Sequence, residues 1–171
     1  MSKLSTKDEA KADRERKIFR LFAKSLGWQF TADSVESRSQ PEPDILYHSE
    51  DGTTAFELAE ICASDVAAQG AGLKESSKTT GVGGVSAIWT SDPTGQILQA
   101  KLGKTYVSGH PIDLLCYTNG RVVSPDSIVE SQIAATLSSA LHVGFRRVWY
   151  FGENVILEFS PRGENIRSFE I

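Results

Sequence analysis

The sequence predicts an α/β fold: a single domain over residues 1–171, with a mixed central β-sheet flanked by helices. Three observations carry this. A long helical stretch opens the chain, short apolar strand-like runs recur along it, and two further helical stretches separate those runs. The 171 residues suit one domain, and 40% hydrophobic with 23% charged residues is an ordinary globular balance rather than that of a disordered chain.

Taken in order, the first helix is expected over Lys7–Leu26, with Thr6 and Glu9 as a capping box and Ile18, Phe19, Phe22 and Leu26 at helical spacing. Gly27 stops it. Trp28–Thr31 can start a short strand, and residues 33–43 read as a loop or irregular edge strand. Ile45–His48 and Thr53–Cys62 form a hairpin across Ser49-Glu50-Asp51-Gly52. The second of these strands is apolar on both faces and so reads as central in the sheet.

Residues 63–95 form a long Gly/Ser-rich loop, which in a compact domain is functional or mobile. Ile97–Tyr106 follows as a short helix capped by Asp92 or Thr94, then Ile112–Tyr117 as a buried strand closed by an Asn119-Gly120 turn. Ser124-Pro125 opens a last helix with Ile128, Ile133, Leu137 and Leu141 as its apolar stripe. Arg147–Phe151, Val155–Ser160 and Ile166–Ile171 close the sheet.

Composition narrows function. No run approaches the roughly 18 apolar residues of a membrane span, and the charged N-terminus is not a secretory signal. A cytoplasmic location is expected. Cys62 and Cys116 lack metal-ligand spacing and read as buried free thiols. The net charge of −4 and pI near 5.4 give no global basic field, which argues against a protein that merely coats phosphates.

The chemistry-bearing segments are Pro43-Asp44-Ile45-Leu46-Tyr47 and Ala55-Phe56-Glu57-Leu58-Ala59. One carboxylate opens a strand and the other lies inside the next, so a tight hairpin can set them side by side. Two carboxylates in an apolar sheet repel each other and are costly to desolvate. A hard cation such as Mg²⁺ (or Mn²⁺) offsets that cost, because it takes oxygen ligands and needs only one or two carboxylates. The plainer readings are a strand-opening role for Asp44, and for Glu57 a salt bridge to Lys101 or an arginine.

This pattern resembles the PD-(D/E)xK superfamily of restriction-endonuclease-like nucleases, over Glu15 to about Tyr117, most of that superfamily's αβββαβ core. The resemblance implies a Mg²⁺-dependent nuclease hydrolysing DNA phosphodiester bonds, with Asp44 and Glu57 as metal ligands. The motif lysine is absent, since Ala59 stands there. In the variant with the lysine moved to the following helix, Lys101 takes its role, with Lys104 as runner-up. A glutamate on the first helix sometimes completes the metal site, which makes Glu15 a third candidate ligand.

DNA is then the expected partner, and a homodimer or a partner protein is also allowed. The alternative is a catalytically inactive nuclease-fold protein acting as an interaction or assembly module, for which the missing lysine is the best support. A small-ligand sensor using the Gly-rich loop is a third class. Glu60 and Gln99 are accessory candidates. Arg146-Arg147 reads as a surface pair.

Overall fold

The computed structural model describes residues 6–62, 92–120 and 124–171. Most of the expected Gly/Ser-rich loop, residues 63–91, lies outside these. Helix α1 spans Thr6–Ser25, and a 3-10 turn at Ala32–Ser34 leads into strand β1, Val35–Ser37. Strands β2 (Ile45–Ser49) and β3 (Gly52–Glu60) are followed by helix α2 (Thr94–Leu102) and strand β4 (Ile112–Tyr117). Helix α3 (Asp126–Ser139) then precedes β5 (Arg147–Phe151), β6 (Val155–Phe159) and β7 (Ile166–Glu170).

The strands form one seven-stranded sheet in sequential order, β1 to β7. Its centre is parallel, β3 with β4 and β4 with β5, and the remaining pairs are antiparallel. Parallel neighbours need a crossover, and α2 and α3 belong to the two crossovers. Successive right-handed crossovers advancing in one direction place their helices on the same face. The cores agree. On one face α1 buries Phe19 and Phe22 against Phe56, Leu58, Leu115 and Trp149. On the other, Leu98 of α2 and Val129, Ile133 and Leu137 of α3 cover Ala59, Leu114, Cys116 and Tyr150. The alternation along β3 and β4 is that of strands covered on both sides.

Several local expectations are corrected. Thr6 lies inside α1 and so does not cap it. Residues 28–31 form no strand. Trp28 instead leaves α1 to stack on Tyr47, with ring centroids 5.4 Å apart, and to meet Trp149 edge-on. The edge strand is β1, three residues within the stretch expected to be irregular. Helix α2 starts at Thr94, whose N–H donates to Asp92 at 2.9 Å, and it ends before Gly103. In α3 the buried positions are Val129, Ile133, Thr136 and Leu137, while Ile128 and Leu141 are exposed. The helix starts at Asp126 and ends at Ser139, which shifts the stripe and leaves Leu141 outside it. Cys62 lies beyond β3 and is half-exposed, whereas the buried Cys116 thiol is pushed up to about 12 by burial.

Phe19 is fully buried and touches the rings of Phe22, Tyr47 and Phe56. Phe19→Ala is therefore expected to cost about 3–5 kcal/mol in urea denaturation, the range for truncating a packed core phenylalanine. A loss under about 1 kcal/mol would mean that α1 docks on the sheet by other contacts.

Candidate functional site

The site lies where β2 begins and β3 approaches its end. Asp44 immediately precedes β2, and Ile45 pairs with Phe56 in the antiparallel register, so the next step sets Asp44 opposite Glu57. Both carboxylates are buried, Asp44 at 5% exposure and Glu57 at 0%. Directly opposed like charges destabilise a strand pair, so each must be compensated.

Asp44 is held from two sides. Its Oδ2 accepts the Leu58 N–H at 3.0 Å, and its Oδ1 accepts from Lys11 Nζ at 3.0 Å. Lys11, on α1, also reaches Glu15 Oε1 at 2.7 Å, so one ammonium bridges two carboxylates. Burial alone would lower the Lys11 pKa, but Glu15 and Asp44 outweigh it and the net shift is upward. Burial raises the pKa of Glu15.

Glu57 Oε1 accepts from Lys101 Nζ at 2.6 Å. Its Oε2 is buried without a hydrogen-bond partner among the described residues. Burial, and secondarily the Asp44 charge, raise the Glu57 pKa, while Lys101 and then Tyr106 oppose the rise. Tyr106 follows α2 and packs its ring on Phe145. Its hydroxyl lies beside Glu57 in a buried position but forms no hydrogen bond of good geometry. Burial and the neighbouring carboxylates raise its pKa, which keeps the hydroxyl a neutral donor.

A cavity of about 430 Å³ opens beside these groups, lined by residues of α1, the end of β3 and α2, with Lys11, Arg14, Lys101, Glu15, Glu60 and Tyr117 among them. It lies toward the carboxyl ends of the parallel pair β3–β4, the usual ligand position in open α/β sheets. Arg14 is exposed and forms no ion pair among the described residues.

The structure thus brings Asp44, Glu57, Lys101 and Glu15 into one neighbourhood, with Lys101 rather than Lys104 at the carboxylate. Lys104 is exposed and makes no ion pair with either carboxylate, and Gln99 is exposed as well. Glu15 faces Lys11. Among the described residues no three His, Cys, Asp or Glu side chains converge closely enough to hold an ion as they stand. Glu60 keeps one buried oxygen without a partner at the strand end.

Sequence reasoning missed Lys11 and Tyr106. Lys11 was readable as the i,i+4 partner of Glu15 on one helix face. Tyr106 carried no periodic signal, because it lies beyond the helix end. Asp113 was also missed. It is a buried carboxylate at the opposite end of β4, clamped by Arg146 at 2.9 and 3.0 Å and by the Trp149 indole N–H at 3.1 Å. Arg146 is therefore a buried acid's partner rather than half of a surface pair, while Arg147 reaches Glu158 at 3.3 Å.

No family model matches the chain, and no curated protein does. A solved structure of a protein of unknown function from Pseudomonas aeruginosa strain PAO1, described as monooxygenase superfamily, covers 94% of this chain and 83% of its own, at 18% identity and a TM-score of 0.43. None of these comparisons supports the expected superfamily membership or Mg²⁺-dependent DNA hydrolysis, and both are withdrawn, together with the inactive nuclease-fold module. Similarity this low transfers no activity from the neighbour. Among the described residues no helix is long and apolar enough to cross a membrane.

Removing the Lys101 charge leaves Glu57 buried and unpaired. Lys101→Met is expected to cost about 3–5 kcal/mol near neutral pH. The sign with pH follows from the raised Glu57 pKa. Above the unfolded carboxyl value the native state holds the proton more tightly, so stability falls as pH rises through that window. Losing Lys101 raises the pKa further, so the deficit should be larger at pH 8 than at pH 5 in denaturant titrations. An equal deficit at both would show that the ion pair does not control Glu57.

Proposed function

We propose that Asp44 and Glu57 form a binding centre for a hard divalent cation such as Mg²⁺ or Mn²⁺, with an anionic ligand received by the adjoining cavity. The observation that carries this reading is Glu57 Oε2, an oxygen of a fully buried carboxylate without a hydrogen-bond partner among the described residues. A buried acceptor without a partner costs free energy unless something unseen meets it, and more so for a charged group.

The donor chemistry fits a hard cation. The two carboxylates stand opposite each other and offer oxygens only, and among the described residues no thiol or imidazole lines the cavity. Charge fits too. Glu15, Asp44 and Glu57 carry three negative charges against the two ammonium groups of Lys11 and Lys101.

A cation bound there supplies Lewis acidity and a water of lowered pKa. The chain's own residues do the rest. Leu58 N–H fixes the Asp44 carboxylate, so one oxygen stays aimed at the site. Lys101 holds Glu57 Oε1, leaving Oε2 as the ligand oxygen, and its ammonium can donate to an oxygen of a bound anion. Arg14, with no ion pair among the described residues, offers a further positive charge in the cavity lining. Lys11 would release Asp44 on cation binding, since the two compete for the same oxygen.

Isothermal titration calorimetry and thermal unfolding with MnCl₂ and MgCl₂ test the reading. At a free cation concentration about 100 times Kd, binding to the native state adds about 2.7 kcal/mol of stability. Asp44→Asn and Glu57→Gln should remove both the heat and the stabilisation, and Lys11→Met should tighten binding. If millimolar Mn²⁺ leaves the wild-type melting curve unmoved and gives no heat, the centre is purely structural.

A further inference from the structure

We infer that Tyr106 is a positioning residue of this centre, whose hydroxyl donates to the oxygen atom, a water or a ligand oxygen, that meets Glu57 Oε2. The inference rests on the cation-binding reading above.

Two buried polar atoms on neighbouring side chains, Glu57 Oε2 and the Tyr106 hydroxyl, have no partner of good hydrogen-bond geometry among the described residues, although the hydroxyl lies close enough to Glu57 to lower its pKa. Unpartnered buried polar atoms are few in folded proteins, and two as neighbours point to a shared third atom. Were the hydroxyl merely a stabilising contact to Glu57, a well-formed hydrogen bond between them would suffice. The structure sets the two side chains near each other with no bond of good geometry between them, so the hydroxyl influences Glu57 without satisfying it. The ring cannot easily retreat, because it is packed on Phe145 with centroids 5.5 Å apart.

Chemistry selects the role. A tyrosine hydroxyl is a donor and weak acceptor, poorly suited to ligate a hard cation beside carboxylates. It is well suited to orient an oxygen bound to that cation, as outer hydrogen-bond partners do at metal sites. Hard cations such as Mg²⁺ keep several waters, so such an oxygen is always available.

Tyr106→Phe removes one oxygen and keeps the ring. Without cation, the variant should melt at or slightly above the wild-type temperature, because a buried hydroxyl without a partner is lost. With Mn²⁺, its Kd should rise on the order of 10- to 100-fold, the usual effect of deleting an outer-sphere partner. The electron paramagnetic resonance spectrum of bound Mn²⁺ should change as well, since the orientation of its waters is altered. Wild-type Kd and spectrum in the variant would overturn the inference while leaving the cation site intact, and so would a lowered melting temperature with an unchanged Kd. Absence of Mn²⁺ binding by the wild-type protein would overturn both.

Discussion

Asp44 and Glu57 face each other across β2 and β3 inside a sheet that is otherwise apolar at its centre, and the surrounding helices are arranged to make that tolerable. A carboxylate with 0% exposure cannot stay charged on solvation by water, so protein charges must stand in. Lys101 comes from α2 to Oε1 of Glu57, and Lys11 comes from α1 to Asp44. Those two contacts bring α2 and α1 to the two carboxylates. The same strand then places Phe56 and Leu58 toward α1, and Ala59 toward α2 and α3, which locks both cores to one register. A slip by one residue would carry Glu57 to the α1 face and every apolar partner to the wrong side.

Topology explains why cations from separate helices reach one point. Strands β3, β4 and β5 run parallel, so α2 leads back across the sheet before β4 begins. Helix α1 packs on the other face and its first half projects past the apolar contacts made by Ile18, Phe19 and Phe22. Lys11 and Glu15 therefore stand at the end of the sheet where β2 starts. The cavity between the helices forms there because the strands end and the helices do not meet. The opposite end differs. Its larger cleft, about 550 Å³, is lined in part by Trp28, Tyr47, Phe56, Asp113 and Arg146, but there the buried acid is already fully matched by Arg146 and Trp149.

Much of this fold was legible because its signals are local. The strand β3 is apolar on both faces, and a Glu in such a strand needs a partner. That argument, with the pairing to Asp44, singled out Glu57, and helical spacing nominated Lys101 ahead of Lys104. The hairpin register was legible as well, since the turn at Ser49 to Gly52 sets Asp44 against Glu57. What stayed hidden depends on tertiary position. Tyr106 acquires meaning only from where the chain runs after α2. Asp113 sits in an apolar run that reads as plain strand, and its clamp on Arg146 spans 33 residues. The stripe of α3 was misread because Ile128 and Val129 are adjacent apolar residues, and periodicity does not say which one faces the sheet. A short acidic motif suffers from the same weakness. Pro43-Asp44 and Glu57 describe an arrangement of charge that more than one lineage can reach, so the physics of the pair outlasts the superfamily assignment.

The two lysines are not equivalent counter-ions, and the difference bears on how the site works. Lys101 is 19% exposed and meets Glu57 at 2.6 Å, so its charge is weakly screened and its removal strands a buried anion. Lys11 is 59% exposed, and its two contacts at 2.7 and 3.0 Å reach the buried carboxylates of Glu15 on α1 and Asp44 before β2. Its ammonium can recover hydration when it swings away, but the carboxylates it leaves are buried and then need another cation. Lys11 is thus the more readily exchanged counter-ion, and Lys101 the fixed member. In the proposed cation site a dication would displace only the former. It would meet Asp44 Oδ1 as Lys11 leaves it and Glu57 Oε2, which has no partner among the described residues, with the Asp44 carboxylate still anchored by the Leu58 N–H. The pair is held apart by lysines of unequal hold, and that inequality leaves room for a cation without unfolding the strands that carry it.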